Sequence, residues 1–398
     1  MNRIEIGAQL LDVKPDTLNE FESEDSFNPG NKITGVICRQ SDHRYGALVI
    51  MEVNGFPVMP QVIFCTPKLH YPFGKSEETG DRSYHWPREI KQVVVYDKLD
   101  GTNICAYSYA DQDGKRYLTF KTRLTPVVQE SRFGSFDAMW REVLDLNPGL
   151  LDALQGVLGG KVTINFEMYG YRNPHLILYP VALDAKMLFY VTQTDGSPHP
   201  PCLYPSMNPW ALAPVAVLGT AKDLTLFYEE MRNQAEARNT KIEKDDTEVI
   251  EGTEGFVFYV QDGAGLWHLL KCKPSSVEDI HWVGDILPLS RITPTAWNGL
   301  ESCPGGVLTV TYLRELLLEE FSLTMVNASQ VRIEKAVNLV NGQIAWRDRV
   351  KTAYLETGLD MAKDGKAPVM RALSKSFKPQ EMKVVYTALK QMGFIPLW

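Results

Sequence analysis

Short apolar and alternating runs, broken by turn residues, recur along the first two-thirds of the chain. Ala47-Leu48-Val49-Ile50-Met51-Glu52-Val53 runs into Asn54-Gly55, and the pattern resumes with Val58 and Val62-Ile63-Phe64. Alternation broken by an Asn-Gly pair predicts strands joined by tight turns over residues 33–73. The same short-strand signal recurs over residues 93–260, interrupted by helical periodicity at 136–146 and 223–238. These elements predict an α+β body built mainly on antiparallel sheet.

Residues 284–306 are rich in Pro and Gly and are expected to be a linker, with a boundary near residue 295. Beyond it the apolar spacing becomes helical. Leu313, Leu316, Leu317 and Phe321 make one stripe, and Ile333, Val337, Val340 and Ile344 another, the latter after Asn327-Ala328-Ser329-Gln330, which has the form of an N-cap with Gln at the capping-box position. Met382, Val385, Leu389 and Met392 follow Pro379, a residue suited to a helix start. The last hundred residues are therefore expected to be all-helical.

A length of 398 residues suggests two to three domains, and 44% apolar with 23% charged residues is ordinary for a globular chain. No apolar stretch approaches the roughly 18 residues of a membrane span. The start MNRIEIGAQL has neither a basic region nor a long apolar run, so a cytoplasmic location is expected. The six cysteines (Cys38, Cys65, Cys105, Cys202, Cys272, Cys303) show no C-x-x-C and are expected as free thiols; the seven histidines show no metal-type spacing. A net charge of −8 excludes a uniformly basic coat for nucleic acid. The charge is unevenly spread, however, because residues 330–392 hold twelve Lys and Arg against six Asp and Glu. A basic tail on an acidic body suits a polyanion-binding appendage, and equally a set of solvated helix faces.

The candidate chemistry begins at Tyr96-Asp97-Lys98-Leu99-Asp100-Gly101-Thr102-Asn103, directly after the apolar run Val93-Val94-Val95. Asp-Gly between two extended runs is a strong hairpin signal, so this stretch fits a plain turn with a solvated lysine. It also fits a lysine held at a strand end among fixed charges, where the amine can act as a nucleophile. Further along come Asn165-Phe166-Glu167-Met168-Tyr169-Gly170, Leu188-Phe189-Tyr190-Val191, Glu254-Gly255-Phe256-Val257-Phe258 and Leu269-Leu270-Lys271-Cys272-Lys273. In the last, a period of two puts Lys271 and Lys273 on one strand face and Cys272 on the other; two such ammonium groups repel and call for a polyanion.

This ordered set, K-x-D-G, F-E, a hydrophobic-aromatic strand, E-G-x-V and K-x-K, resembles the covalent nucleotidyltransferase superfamily of ATP-dependent ligases and mRNA capping enzymes. The resemblance covers residues 98–273. Gly101-Thr102-Asn103 departs from the arginine that DNA ligases and capping enzymes usually carry two residues after the glycine, and is similar to the G-T-N of some RNA ligases. Phe120-Lys121-Thr122-Arg123 and the helical C-terminal region are also similar to phage-type RNA ligases.

The resemblance implies a nucleotidyltransferase (ATP-grasp-like ligase) domain of antiparallel sheets with flanking helices over residues 85–290. A β-rich module at 1–84 would belong to it or pack on it, and an all-helical RNA-recognition domain would occupy 305–398. The implied activity is that of an ATP-dependent RNA ligase joining 5′-phosphate to 3′-hydroxyl RNA ends in RNA repair, with ATP and Mg²⁺ or Mn²⁺ as cofactors. A DNA ligase or guanylyltransferase of the same superfamily, or a decayed RNA-binding protein on that scaffold, are the alternatives. By position, Lys98 would attack the α-phosphorus of ATP and carry AMP, while Lys271 and Lys273 would neutralise phosphate and lower the pKa of Lys98 by like-charge repulsion. Asp100, Glu167 and Glu254 would be hard oxygen donors for a metal ion or for ribose. Gly101 and Gly255 would let backbone approach the nucleotide, Phe189 would stack on adenine, and Arg123 and Lys68 would contact phosphate.

Overall fold

The computed structural model describes residues 2–75, 82–131, 134–219, 223–244, 247–282, 287, 289–301, 303 and 307–394. Contacts divide the chain into two compact units: Met1–Gln129 with Trp140–Asp279, and Glu130–Met139 with Ile280–Trp398.

The first unit is built on antiparallel sheets, as the alternating pattern predicts. Strands Leu18–Glu24, Lys32–Cys38, Leu48–Val53 and Phe56–Ile63 form a four-stranded meander. Its last hairpin turns through Asn54 (φ 56°) and Gly55 (φ 78°), the left-handed pair that an Asn-Gly turn supplies. A five-stranded sheet is ordered Pro198–His199, Asp184–Thr192, Val162–Tyr169, Thr102–Ala110, Arg116–Lys121. A second four-stranded sheet is ordered Pro214–Leu218, Gln92–Asp97, Phe256–Gln261, Trp267–Cys272.

Three apolar layers hold these sheets. Ile33, Ile50, Cys105, Tyr107 and Tyr109 are buried between the meander and the five-stranded sheet. Phe189 and Val191 of the five-stranded sheet meet Val94, Tyr96, Val257 and Tyr259 of the other. The opposite face of that four-stranded sheet is covered by helix Leu224–Arg238, whose Leu224, Tyr228, Met231 and Ala235 recur every three to four residues against Val93, Val95 and Phe258. Burying a side chain of this size contributes about 1.5–3 kcal/mol. Asp223, included in the predicted helix, is its N-cap, accepting the amide of Leu226.

The second unit is helical. Residues 289–301, expected within a linker, instead form helix Leu289–Glu301 with Pro294 inside it. The reason is a buried face: Ile292, Ala296 and Trp297 belong to one core with Leu313, Leu317, Ile333 and Val340, and Leu300 packs against it. That spacing outweighs the turn-forming composition. The expected cap at Asn327 is also corrected. Asn327 lies inside helix Leu323–Ala328, and the next helix, Gln330–Glu356, begins at Ser329, whose hydroxyl bonds Met325 O and accepts Leu287 N and so caps nothing. At 1.5 Å per residue this 27-residue helix is about 40 Å long. Its first half lies in the core just named; its second half buries Val350 and Tyr354 with Val369, Leu373, Phe377, Val385 and Leu389. The remaining linker residues 284–286, 288, 302 and 304–306 lie outside the described residues.

Candidate nucleotide-binding site

Strand order assembles the site. Phe256–Gln261 lies between Gln92–Asp97 and Trp267–Cys272, and Phe256 is in register with both Asp97 and Cys272. One step beyond that line are Lys98, Gly255 with Glu254, and Lys273, so three neighbouring strand ends bring two lysines and one carboxylate together. The Lys98 amide donates to Gly255 O at 2.8 Å. Gly255 has φ 122°, and a Cβ there would overlap the Cys272 carbonyl, so the position requires glycine.

The turn at Asp100-Gly101 is not a hairpin. Strands Gln92–Asp97 and Thr102–Ala110 belong to different sheets and do not pair. The turn carries the chain from one sheet to the other, which leaves Lys98 at the junction between them.

Glu254 is buried and bridges two cations: its Oε2 accepts from Lys98 Nζ, and its Oε1 lies 2.7 Å from Lys273 Nζ. Burial opposes its ionisation, but the ammonium groups of Lys273 and Lys98 hold its pKa at about 2. Lys98 is affected oppositely to expectation. Burial works to lower its pKa, yet the carboxylates of Glu254, Glu167 and Asp100 outweigh burial and leave it above the usual lysine value. The expected depression by Lys271 and Lys273 fails because Glu254 stands between Lys98 and Lys273, while the Lys271 ammonium sits 4.4 Å from the ring centroid of Tyr71.

Glu167 comes from the five-stranded sheet, is paired in register with Asn103, and accepts the Gly101 amide at 3.1 Å. Burial drives its pKa up to about 7, against the pull of Lys98 and Arg123. Asp100 is used locally: its Oδ2 accepts the amides of Leu176 (2.7 Å) and Ile177 (2.9 Å), and its pKa is raised, mainly by burial. Glu254, Glu167 and Asp100 thus face different partners. Among the described residues no group of three or more His, Cys, Asp or Glu is arranged to hold a metal ion.

Lys98 lines a cleft at this junction. Its apolar wall is Tyr96, Leu188, Phe189, Val257 and Tyr259; Glu167, Asn103, Thr66 and Arg123 line its polar side. The Arg123 Nε is buried with no hydrogen-bond acceptor among the described residues. A buried guanidinium donor left open in this way suits an anion. Lys68 does not line the cleft; its ammonium lies 4.9 Å from the Tyr45 ring centroid. Gly101 does not line the cleft, and a Cβ there would overlap Met168 O.

Sequence reasoning missed the polar floor. Thr66 Oγ1 lies 2.6 Å from Asn103 Oδ1 and 2.5 Å from Asn165 Oδ1, and Asn103 Nδ2 donates to Phe166 O at 3.1 Å. A hydroxyl has one hydrogen, so this set closes when the Asn165 amide group donates to Thr66 and Thr66 donates to Asn103. The only signal was three polar residues inside or just after apolar runs.

No protein-family model matches the chain, and no curated protein matches it by sequence. Among solved structures it is similar to an archaeal ATP-dependent RNA ligase, at 14% identity and TM-score 0.46, covering 89% of this chain and 83% of that one. It is also similar to a Naegleria gruberi RNA ligase solved with PPi, at 10% identity and TM-score 0.33, covering 67% of this chain and 98% of that one. A variant of the same Naegleria gruberi enzyme, solved with ATP and Mn, matches at 11% identity and TM-score 0.33, covering 66% of this chain and 98% of that one.

Proposed function

We propose that the protein is an ATP-dependent RNA ligase that joins 5′-phosphate to 3′-hydroxyl ends. The observation that carries this reading is one lysine, Lys98, at a cleft walled by aromatic side chains, sharing a carboxylate with Lys273 and lining the same cleft as the open donor of Arg123.

In the first step the neutral Lys98 amine attacks the α-phosphorus of ATP. A P–N bond forms, the α–β bridging P–O bond breaks, and pyrophosphate leaves. The 5′-phosphate of RNA then attacks the same phosphorus, releasing Lys98 and forming an RNA-adenylate. Finally the 3′-hydroxyl attacks the adenylated 5′-phosphate and AMP leaves. Each step is displacement at phosphorus, so placement and charge supply most of the acceleration.

Adenine fits against Phe189 and the Tyr96–Tyr259 wall. Lys273, Lys271 and Arg123 are the cations for phosphate oxygens. Lys98 must lose a proton that Glu254 now stabilises, and at a pKa of about 2 Glu254 is a poor base. Adenylation therefore calls for Glu254 to exchange Lys98 for another cation when nucleotide enters. Glu254, Glu167 and the Oδ1 of Asp100, whose Oδ2 is tied to two amides, would be the oxygens for a Mg²⁺ or Mn²⁺ held by one or two protein oxygens and by phosphates. Such an ion would supply Lewis-acid charge at the phosphates.

The choice of RNA over DNA rests on the G-T-N at residues 101–103 and on the basic helical region, to which we assign RNA recognition over residues 305–398. Residues 85–290 would carry the chemistry, with 1–84 packed on them. Incubation with α-labelled ATP or GTP, followed by denaturing electrophoresis, tests the first step. A label on the protein with ATP alone supports the reading; a label with GTP alone would make the enzyme a guanylyltransferase, and none with either would overturn both. Sealing of single-stranded, nicked-duplex and anticodon-loop substrates then tests RNA against DNA.

A further inference from the structure

Between strands Val162–Tyr169 and Asp184–Thr192, residues 173–179 run alongside the turn that carries Lys98. The contacts are specific. The Asp100 amide donates to Tyr179 Oη at 2.8 Å, and the Leu176 and Ile177 amides donate back to the Asp100 carboxylate. Asn173, buried, donates through Nδ2 to Thr102 Oγ1 (3.0 Å) and to Met168 O (2.8 Å). The same segment is stitched to the strand leading to Glu254: Leu178 N donates to Ile250 O and Ile250 N donates to Leu176 O, both at 2.8 Å, with Ile177 in parallel register with Ile250. Ile250 is four residues before Glu254. The Tyr179 ring is itself fixed edge-on against Tyr169, with centroids 4.8 Å apart.

We infer that Tyr179 is a positioning residue that sets the Lys98 amine in line with the α-phosphorus during lysyl-AMP formation, the segment 173–179 being the strap that registers the nucleophile turn against Glu254. The physical reason is the length of the lever. Lys98 sits two residues before an amide whose acceptor is the Tyr179 hydroxyl; the turn is tied at Lys98 to Gly255 O and at Gly101 to Glu167, and between those ties its one backbone donor bond among the described residues is the one to Tyr179. Removing that acceptor leaves the Asp100 amide unpaired and loosens the middle of the turn between its remaining ties, and a displacement near 1 Å at a reacting atom costs up to about a hundredfold in rate. Sealing of RNA that already carries the adenylate requires no attack by Lys98. Its rate should depend on this hydroxyl far less.

This inference rests on the ligase reading above, and the two fail differently. Tyr179→Phe removes one oxygen and keeps the ring against Tyr169. The full-length variant should form lysyl-AMP in a single turnover about tenfold or more slowly than the parent at saturating ATP. Its half-saturating ATP concentration should stay within about threefold, and its sealing of a 5′-adenylated RNA to a 3′-hydroxyl acceptor within about threefold. Asn173→Ser, which shortens the reach to Met168 O, should split the two steps in the same direction and keeps the test open if Tyr179→Phe does not fold. Equal losses in both steps with a lowered melting temperature would make Tyr179 merely structural, and a parental rate of lysyl-AMP formation in both variants would remove the role altogether. If the parent forms no lysyl-AMP, the ligase reading itself has failed.

Discussion

Half-buried Lys98 and buried Glu254 form an ion pair across two adjacent strand ends, and the free oxygen of Glu254 is taken by Lys273. Because the carboxylate is bonded on both sides, the Lys98 amine in the unliganded protein is held as an ammonium ion. A lysine cluster read from sequence suggested the reverse, since repulsion among cations was the only interaction then visible. The strand register inserts a counter-charge among them.

The first prediction follows from that pair. Glu254→Gln removes the strongest of the carboxylates that raise the Lys98 pKa, while burial still lowers it. The pH midpoint for acylation of Lys98, followed by peptide mass spectrometry, should therefore move to lower pH in the variant. An unmoved midpoint would show that the pair does not govern the amine.

Lys98→Ala should abolish the covalent adenylate and leave the fold intact. The side chain is about one-fifth exposed and lies at the edge of a cleft, not in the apolar layers, so its loss removes no core packing. Labelling with ATP and a melting curve read the two effects separately. Persistent labelling would move the nucleophile elsewhere.

Glu167 gives a prediction about stability and pH. Its folded pKa, about 7, lies above the ordinary glutamate range because burial disfavours the charged form. A carboxyl group with a raised folded pKa contributes its stabilising effect below the unfolded value and loses it as pH rises through about 7. Glutamine has no proton to lose and keeps an oxygen for the Gly101 amide. Glu167→Gln should thus raise the melting temperature more at pH 8 than at pH 5.5. A difference independent of pH would mean that Glu167 titrates normally.

The sheets were legible because alternation survives where one strand face is buried, as in Asp184–Thr192, and because a short apolar run before Asn-Gly marks a strand buried on both faces, as in Leu48–Val53; the helices were legible because their apolar spacing is strong, as in Leu224–Arg238. The charged site residues were legible because a lysine or glutamate between apolar neighbours is conspicuous. Other features depend on long-range contacts that leave no local pattern. The Pro-containing helix Leu289–Glu301 is fixed by Trp297 and Ile292 meeting residues far along the chain. Tyr179 acts through an amide 79 positions away, and Thr66 through Asn165, 99 positions away. The separation of the Lys98 turn between two sheets is likewise a property of pairing, since Asp-Gly between two strands has the same sequence form in a hairpin.

The last prediction concerns the basic helical region. A truncation near residue 290 is a poor test of it, because Glu130–Met139 cluster with residues 280–398 and the cut would remove most of the unit they belong to. Charge substitutions avoid this. On helix Met382–Gln391, exposed Lys383 and Lys390 flank half-buried Tyr386 at spacings of three and four residues, and the Lys366 ammonium lies 3.9 Å from the Tyr386 ring centroid. Three cations around an aromatic face are the elements of a surface that follows a single-stranded backbone and stacks a base. Replacing Lys366, Lys383 and Lys390 together by alanine should weaken binding of a single-stranded RNA and flatten the plot of log affinity against log salt by up to about 2, at roughly 0.7 per phosphate contact. Lysyl-AMP formation should remain at the parental rate, because these lysines lie outside the cleft that holds Lys98. Filter binding across a salt series measures the first effect and single-turnover labelling the second. An unchanged salt slope in a variant that melts like the parent would return these lysines to an ordinary solvated surface and place RNA contact elsewhere on the chain.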